Sequence, residues 1–270
     1  MNDKQENLQP QFIGFFNTPH LFLQSVLGMD PFLKKPSKSP AFFGFMPYNI
    51  RLGQRVERFV TCEISCLDNI EILSENIQIQ TESNLTIGEL DCLLLDDKQP
   101  VHLEIQFKFY LYDDTVGTTE IDHCIGPMRR DTLNKKLSKL KNKQLPLLYR
   151  PETKPLLERL NVMASNFKQQ LYFKAQLFVP YGKTITLNTL NPECIYGFYF
   201  SYDTLPKFKG CKFYKPKKTD WLLEVTPNVD WKNYEDIMPI LKVSELEGYS
   251  PMLRLKFENG EIFKCFVTAW

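Results

Sequence analysis

Between Ile50 and Leu67 the apolar positions Leu52, Val56, Phe59, Val60, Ile64 and Leu67 recur at three- and four-residue intervals, with Arg51, Arg55, Glu57 and Arg58 mostly off that stripe. That spacing predicts an amphipathic helix over 50–67. The period then changes. Segments 69–80, 85–95 and 100–111 are rich in Ile, Leu, Val and Phe and are separated by TESN and DDKQP; turn-forming residues between β-prone runs predict an antiparallel three-stranded meander. Helical spacing returns from about Asp131 to Gln144, with Leu133, Leu137 and Leu140 as the buried stripe and Pro146 as its end. A short helix near 153–161 and a strand at 171–180 follow. Beyond Tyr181 short β-like runs dominate, among them 195–202 and a final pair flanking Asn259-Gly260, a dipeptide suited to a tight hairpin. Ahead of all this, residues 1 to about 10 are expected to be disordered. The stretch from Phe12 to Pro47 mixes Phe15, Phe16, Phe42, Phe43 and Phe45 with Pro and Gly and reads as an irregular covering arm. The fold expected is therefore α/β. A core over 48–181 is built as helix, three-stranded antiparallel meander, helix and strand, with an arm over 1–47 and a β-rich C-terminal extension over 182–270 packed on the core.

Composition narrows the classes of function. The chain has 270 residues, 43% of them hydrophobic and 24% charged, which excludes a collagen-like or wholly disordered protein. Its formal net charge of +1 means that no global field attracts nucleic acid or a membrane, so any anion binding must rest on local clusters. Seven cysteines without a CxxC pair argue against a disulfide framework and against a zinc knuckle. A reducing compartment follows, and with no apolar run of about 18 residues and no leader-like start, a cytoplasmic protein without membrane contact is expected. GxxxxGK, GxGxxG, GxSxG and HExxH are missing, which removes the usual sequence support for nucleotide-loop, serine-hydrolase and zincin chemistry.

The candidate chemistry lies in GELD at 88–91 and in the following strand. Along 101–108, Val101, Leu103, Ile105 and Phe107 share one face, while His102, Glu104, Gln106 and Lys108 share the other. A strand this apolar belongs in the interior of a sheet, where such a polar file is costly; an edge strand at the surface is the plainer alternative. A meander register that sets Asp91 opposite Glu104 brings two carboxylates to a cross-strand backbone distance of about 5 Å. That arrangement suits a hard divalent cation such as Mg²⁺ or Mn²⁺. Gln106 or Lys108 would then position water or phosphate. Downstream, Arg129, Arg130, Lys135, Lys136, Lys139, Lys141 and Lys143 stand against a single acid, Asp131. This run reads either as a phosphate-binding helix or as a solvated helix face. A smaller cluster at 207–218 interleaves Phe208, Phe213 and Tyr214 with lysines and reads as a stacking surface or an ordinary basic loop. His102 is expected to be structural or exposed, His20 and His123 to lie in loops, Cys62, Cys66 and Cys92 to be core thiols, and Asp131 to cap the basic helix.

These residues resemble the PD-(D/E)xK, restriction-endonuclease-like nucleases, with Asp91 and then Glu104, Gln106 and Lys108 as the motif. The longer string is more specific. LGxRxE at 52–57, GELD at 88–91, HLEIQFKFYL at 102–111, GPxxxDxLxxKLxxL at 126–140 and KKxDWL at 217–222 are together similar to the bacterial family named domain of unknown function 1853. The resemblance implies a Mg²⁺- or Mn²⁺-dependent phosphodiesterase with Asp91 and Glu104 as metal ligands, assisted by Glu57 from the first helix. Nucleic acid is the implied partner, DNA ahead of RNA, with Arg129, Arg130, Lys135, Lys136 and Lys139 on its backbone. The slot two residues after the motif Glu normally holds Lys and here holds Gln106, with Lys108 one step further along the same face. A nuclease-like fold that binds nucleic acid or protein without cutting is the alternative.

Overall fold

The computed structural model describes residues 7–270. In it the chain runs through α1 (Leu8–Asn17), β1 (Asp30–Pro31), α2 (Leu52–Ile64), β2 (Ile70–Gln80), β3 (Thr86–Asp96), β4 (Gln99–Tyr112), α3 (Glu120–His123), β5 (Cys124–Ile125), α4 (Leu133–Lys139) and α5 (Lys154–Arg159). It continues with β6 (Lys168–Pro180), β7 (Ile195–Ser201), β8 (Lys212–Tyr214), α6 (Tyr234–Leu246), β9 (Met252–Lys256) and β10 (Ile262–Thr268). The strands join one mixed sheet in the order β2-β3-β4-β6-β7-β10-β9-β8, with β1 on β6 and β5 on β4. Antiparallel ribbons form its two ends, and β4, β6, β7 and β10 run parallel through the middle. Among the described residues no helix is long and apolar enough to cross a membrane.

Alternation along β4 supplies both faces of the centre. Val101 and Leu103 pack with Phe59 and Val60 of α2 and Phe12 and Phe15 of α1, while Tyr110 and Tyr112 pack with Leu133, Leu137 and Leu140 on the opposite side. β4 lies between β3 and β6, so it is an interior strand and not an edge. Its polar file is accordingly buried as far as Gln106, with Glu104 and His102 at 0% exposure, and only Lys108 reaches solvent in part.

Several expectations are corrected by packing. Of the stretch expected to be disordered, residues 1–6 lie outside the described residues, and Leu8, Gln9 and Pro10 open α1. The arm expected to be irregular therefore begins as a helix, because Phe12, Phe15 and Phe16 at helical spacing bury themselves against α2. Gly14 permits this seat: a Cβ there would stand 1.9 Å from the carbonyl oxygen of Leu222. The basic helix is regular only over α4, then widens into a π-turn over Leu140–Gln144 and tightens into a 3₁₀ turn over Leu145–Tyr149. Pro146 has no N–H to continue the α-ladder. Thr132, not Asp131, caps α4, its hydroxyl accepting from the Lys135 N–H. The C-terminal part extends the same sheet edge to edge and contributes α6, whose Ile237 and Leu241 cover Leu253, Leu255 and Cys265. Phe208 and Phe213 belong to that core, so they are not free to stack on bases. Cys62 and Cys92 are buried, but Cys66 lies beyond the end of α2 and is exposed.

Candidate active site

The β3–β4 ladder pairs Asp96 with Gln99 and proceeds to Cys92 opposite Leu103, where it stops. One step further Asp91 comes opposite Glu104, and the next N–H of β4, that of Ile105, donates to Asp91 Oδ2 at 2.8 Å. A side chain thus replaces the backbone acceptor at the point where the two strands part. Glu104 is held on both oxygens. Oε1 accepts from His102 Nε2 at 3.1 Å, and Oε2 accepts from Gln144 Nε2 at 2.6 Å. Gln144 reaches it because the π-turn swings that residue toward the sheet.

His102 is fixed in turn by Gln169 on the neighbouring β6. The Gln169 amide nitrogen donates to the Leu145 carbonyl at 2.6 Å and to His102 Nδ1 at 2.9 Å. With Nδ1 accepting, the imidazole proton sits on Nε2 and points at Glu104. Burial pushes the ring down to about 4, which keeps it neutral near pH 7.

The two acids frustrate each other. Burial, and then the charge of Glu104, push the Asp91 carboxyl up to about 7, against the Ile105 N–H that favours its ionised form. Burial likewise pushes Glu104 up to about 8, opposed chiefly by the charge of Lys136. Without a cation the pair retains a proton at neutral pH. Lys136 of α4 faces this pair. Its ammonium donates to Gln144 Oε1 at 3.0 Å, and burial, then Lys108 and Lys139, push it down to about 8. Glu57 on α2 is raised by burial and next by the Asp91 charge, which places its carboxyl within electrostatic reach of the pair.

The other expected site residues divide. Gln106 is buried on the same face of β4 as Glu104, and Lys108, one step further, is partly exposed and bonded to Asp131. Arg129 is tied into the packing: its guanidinium pairs with the Asp113 carboxylate and lies 3.8 Å from the centre of the Trp270 ring. Arg130, Lys135 and Lys139 are exposed, while Lys136 turns inward. The basic run is therefore three things: an anchor, a site lysine and a free surface. Sequence reasoning missed Gln144, Gln169 and the inward role of Lys136; it placed His102 on the polar face as a structural or exposed imidazole but missed its bond to Glu104. For His102 the signal was present, two residues before Glu104 on one strand face; for Gln144 and Gln169, which come from other elements, there was none.

Among the described residues no group of three or more His, Cys, Asp or Glu side chains is gathered to hold a metal ion, so the centre offers a pair of carboxyls with Glu57 standing off. The family model described as Domain of unknown function (DUF1853) matches residues 31–259, most of the chain, and the chain belongs to that family. No curated protein and no solved structure matches it.

Proposed function

We propose that this family member is a metal-dependent phosphodiesterase acting on nucleic acid, with Asp91 and Glu104 as the residues that hold a divalent cation. The observation that carries this reading is a pair of convergent carboxyls on interior strands, both raised toward neutrality, with no cationic side chain among the described residues bonded to either of them. The order α2, the β2-β3-β4 meander, α4, then β6 parallel beside β4 is also the order expected of a restriction-endonuclease-like core.

The donor set fits a hard ion. Mg²⁺ is commonly held by only one or two carboxylates, with water and substrate phosphate completing its shell. Bound there, such an ion supplies Lewis-acid stabilisation of phosphate charge and a more acidic water. The chain's own groups have separable roles. His102 and Gln144 hold the Glu104 carboxyl in one orientation, and Asp91 is held by the Ile105 N–H. Lys136 and Lys108 bring positive charge to the same face, where it offsets the charge that develops on a phosphate. In this reading the lysine absent from the Gln106 slot is replaced by Lys136, delivered from the helix instead of the strand.

The test is cleavage of single-stranded, duplex and branched DNA, and of RNA, with Mg²⁺ or Mn²⁺. Activity should vanish with chelator and fall about 1,000-fold or more in Asp91→Asn and Glu104→Gln. No cleavage of any form would overturn it. Gln106 in the lysine slot favours one second reading, a binding module without hydrolysis. Calorimetry separates the two, because nucleic-acid binding that is indifferent to metal and to Asp91→Ala belongs to the module.

A further inference from the structure

A cleft of about 880 Å³ opens beside Glu57 and Lys108, walled by the first turns of α2, the Gly126–Asp131 loop and the turn around Lys218. Phe107 and Phe109 point to one face of β4 and Lys108 to the other, yet all three line it. The cleft therefore runs along the edge of β4. That edge is open because β3 pairs with β4 only up to Leu103 and β5 only from Leu111. Glu57 and Lys108 lie in its wall, and Lys108 shares the face of β4 that carries Glu104.

Resting on the function proposed above, we infer that this cleft takes an unpaired nucleic-acid strand, its bases against the apolar floor and its phosphates on the cationic rim. The floor is the half-buried Phe107 and Phe109, with the buried Trp221 behind them; the rim carries Arg130 and Lys218, neither of which is paired with a carboxylate among the described residues, Lys218 lying over the Trp221 ring. Base faces are available to aromatic side chains only when the strand is unpaired, since in a duplex they are covered by their neighbours. An exposed strand edge would also accept a peptide, but the rim cations Arg51, Lys108, Arg130 and Lys218 outnumber the acids Glu57 and Asp131, which selects an anionic chain.

Fluorescence anisotropy in chelator, with a labelled oligonucleotide of about 10 nucleotides, tests this without cleavage. The single strand should bind about ten-fold more tightly than the same sequence as a blunt duplex, the gain of roughly one stacked base. Gly53 lines the cleft, and a Cβ there would meet no neighbouring element within 4 Å. Gly53→Phe should therefore obstruct the cleft without disturbing the fold, weakening single-strand binding about ten-fold while the melting temperature holds. Lys218→Glu should weaken it as well and flatten its salt dependence. Equal or tighter duplex binding, tighter binding of an extended peptide, or a Gly53→Phe protein that binds single strands normally would each overturn the inference. The two readings fail separately: single-strand binding without cleavage under any metal sinks the phosphodiesterase alone, and cleavage confined to closed duplex sinks the cleft alone.

Discussion

Replacing Asp91 by Asn should stabilise the metal-free protein, and more so at alkaline than at acidic pH. In the folded chain burial and Glu104 push Asp91 from 3.8 to about 7. At about 1.4 kcal/mol per unit, that rise of roughly three units corresponds to about 4 kcal/mol held against folding when the group is ionised. The sign follows from linkage. The folded state binds the proton more tightly than the unfolded chain, so stability falls as pH climbs from near 4 and levels off above the folded value. At about pH 5.5 roughly half of the penalty is expressed, and at about pH 8 all of it. Asn keeps the shape and can still accept from the Ile105 N–H, so its gain should be about 2 kcal/mol at the lower pH and about 4 at the higher. For a chain of this size that amounts to a melting temperature raised by roughly 10 °C at alkaline pH. Calorimetric scans in chelator measure it. Mg²⁺ or Mn²⁺ should stabilise the unmutated protein at the higher pH, where the pair is ready to lose its proton, and should leave Asp91→Asn unmoved. A variant destabilised equally at both pH values, with no metal response in the parent, would refute the reasoning.

Three further outcomes follow from the geometry. Lys136→Ala should lower cleavage about 100-fold, and Lys108→Ala much less because Asp131 already engages that ammonium; kcat/KM for a labelled oligonucleotide compares them. His102→Ala should cost about 2 kcal/mol in urea unfolding, since it leaves one buried oxygen of Glu104 without its donor, and should weaken metal binding about ten-fold or more by calorimetry, with partial rescue by His102→Gln. Removing Lys174 alone, as Lys174→Met, should cost about 3–5 kcal/mol by leaving Glu63 buried and unpaired, whereas Lys174→Met with Glu63→Leu should cost far less in the same unfolding assay.

The parts of this molecule that could be read beforehand are those whose signal is local. The α2 stripe, the three meander strands and β6 follow from periodicity within single segments, and their ends shift by no more than three residues. The facing of Asp91 and Glu104 follows too, because a meander with a short turn leaves few registers. What could not be read is what depends on partners distant in sequence. Gln144 reaches Glu104 across 40 residues through a π-turn, and Gln169 reaches His102 across 67 residues through a parallel strand. The same holds for α1: its aromatics make a helix worthwhile only because α2 and Tyr172 are there to receive them. Arg129 is misread for a related reason. A cation in a basic run looks free until the last residue of the chain, Trp270, is found under it.

The fold carries its own control for the functional reading, because a glutamate is buried on each side of the sheet. On the face covered by α1 and α2, Glu63 of α2 is at 0% exposure and meets Lys174 of β6 at 3.0 Å; that lysine also donates to the carbonyls of Phe15 and Phe16. This is how a fold accommodates a buried acid for structural ends: it supplies the counter-charge from its own sequence and spends the remaining donors on nearby carbonyls. On the other face Glu104 is equally buried, but its bonded partners are a neutral imidazole and a neutral amide, and the group facing it is a second acid. Lys136 stands close enough to neutralise the pair, yet its ammonium bonds to Gln144 and not to either carboxyl. A packing explanation covers the first arrangement fully, whereas the second lowers stability as the pair ionises. The function proposed above would supply the counter-charge with a divalent cation, for which the open edge of β4 beside Glu57 and Lys108 would be the route of entry.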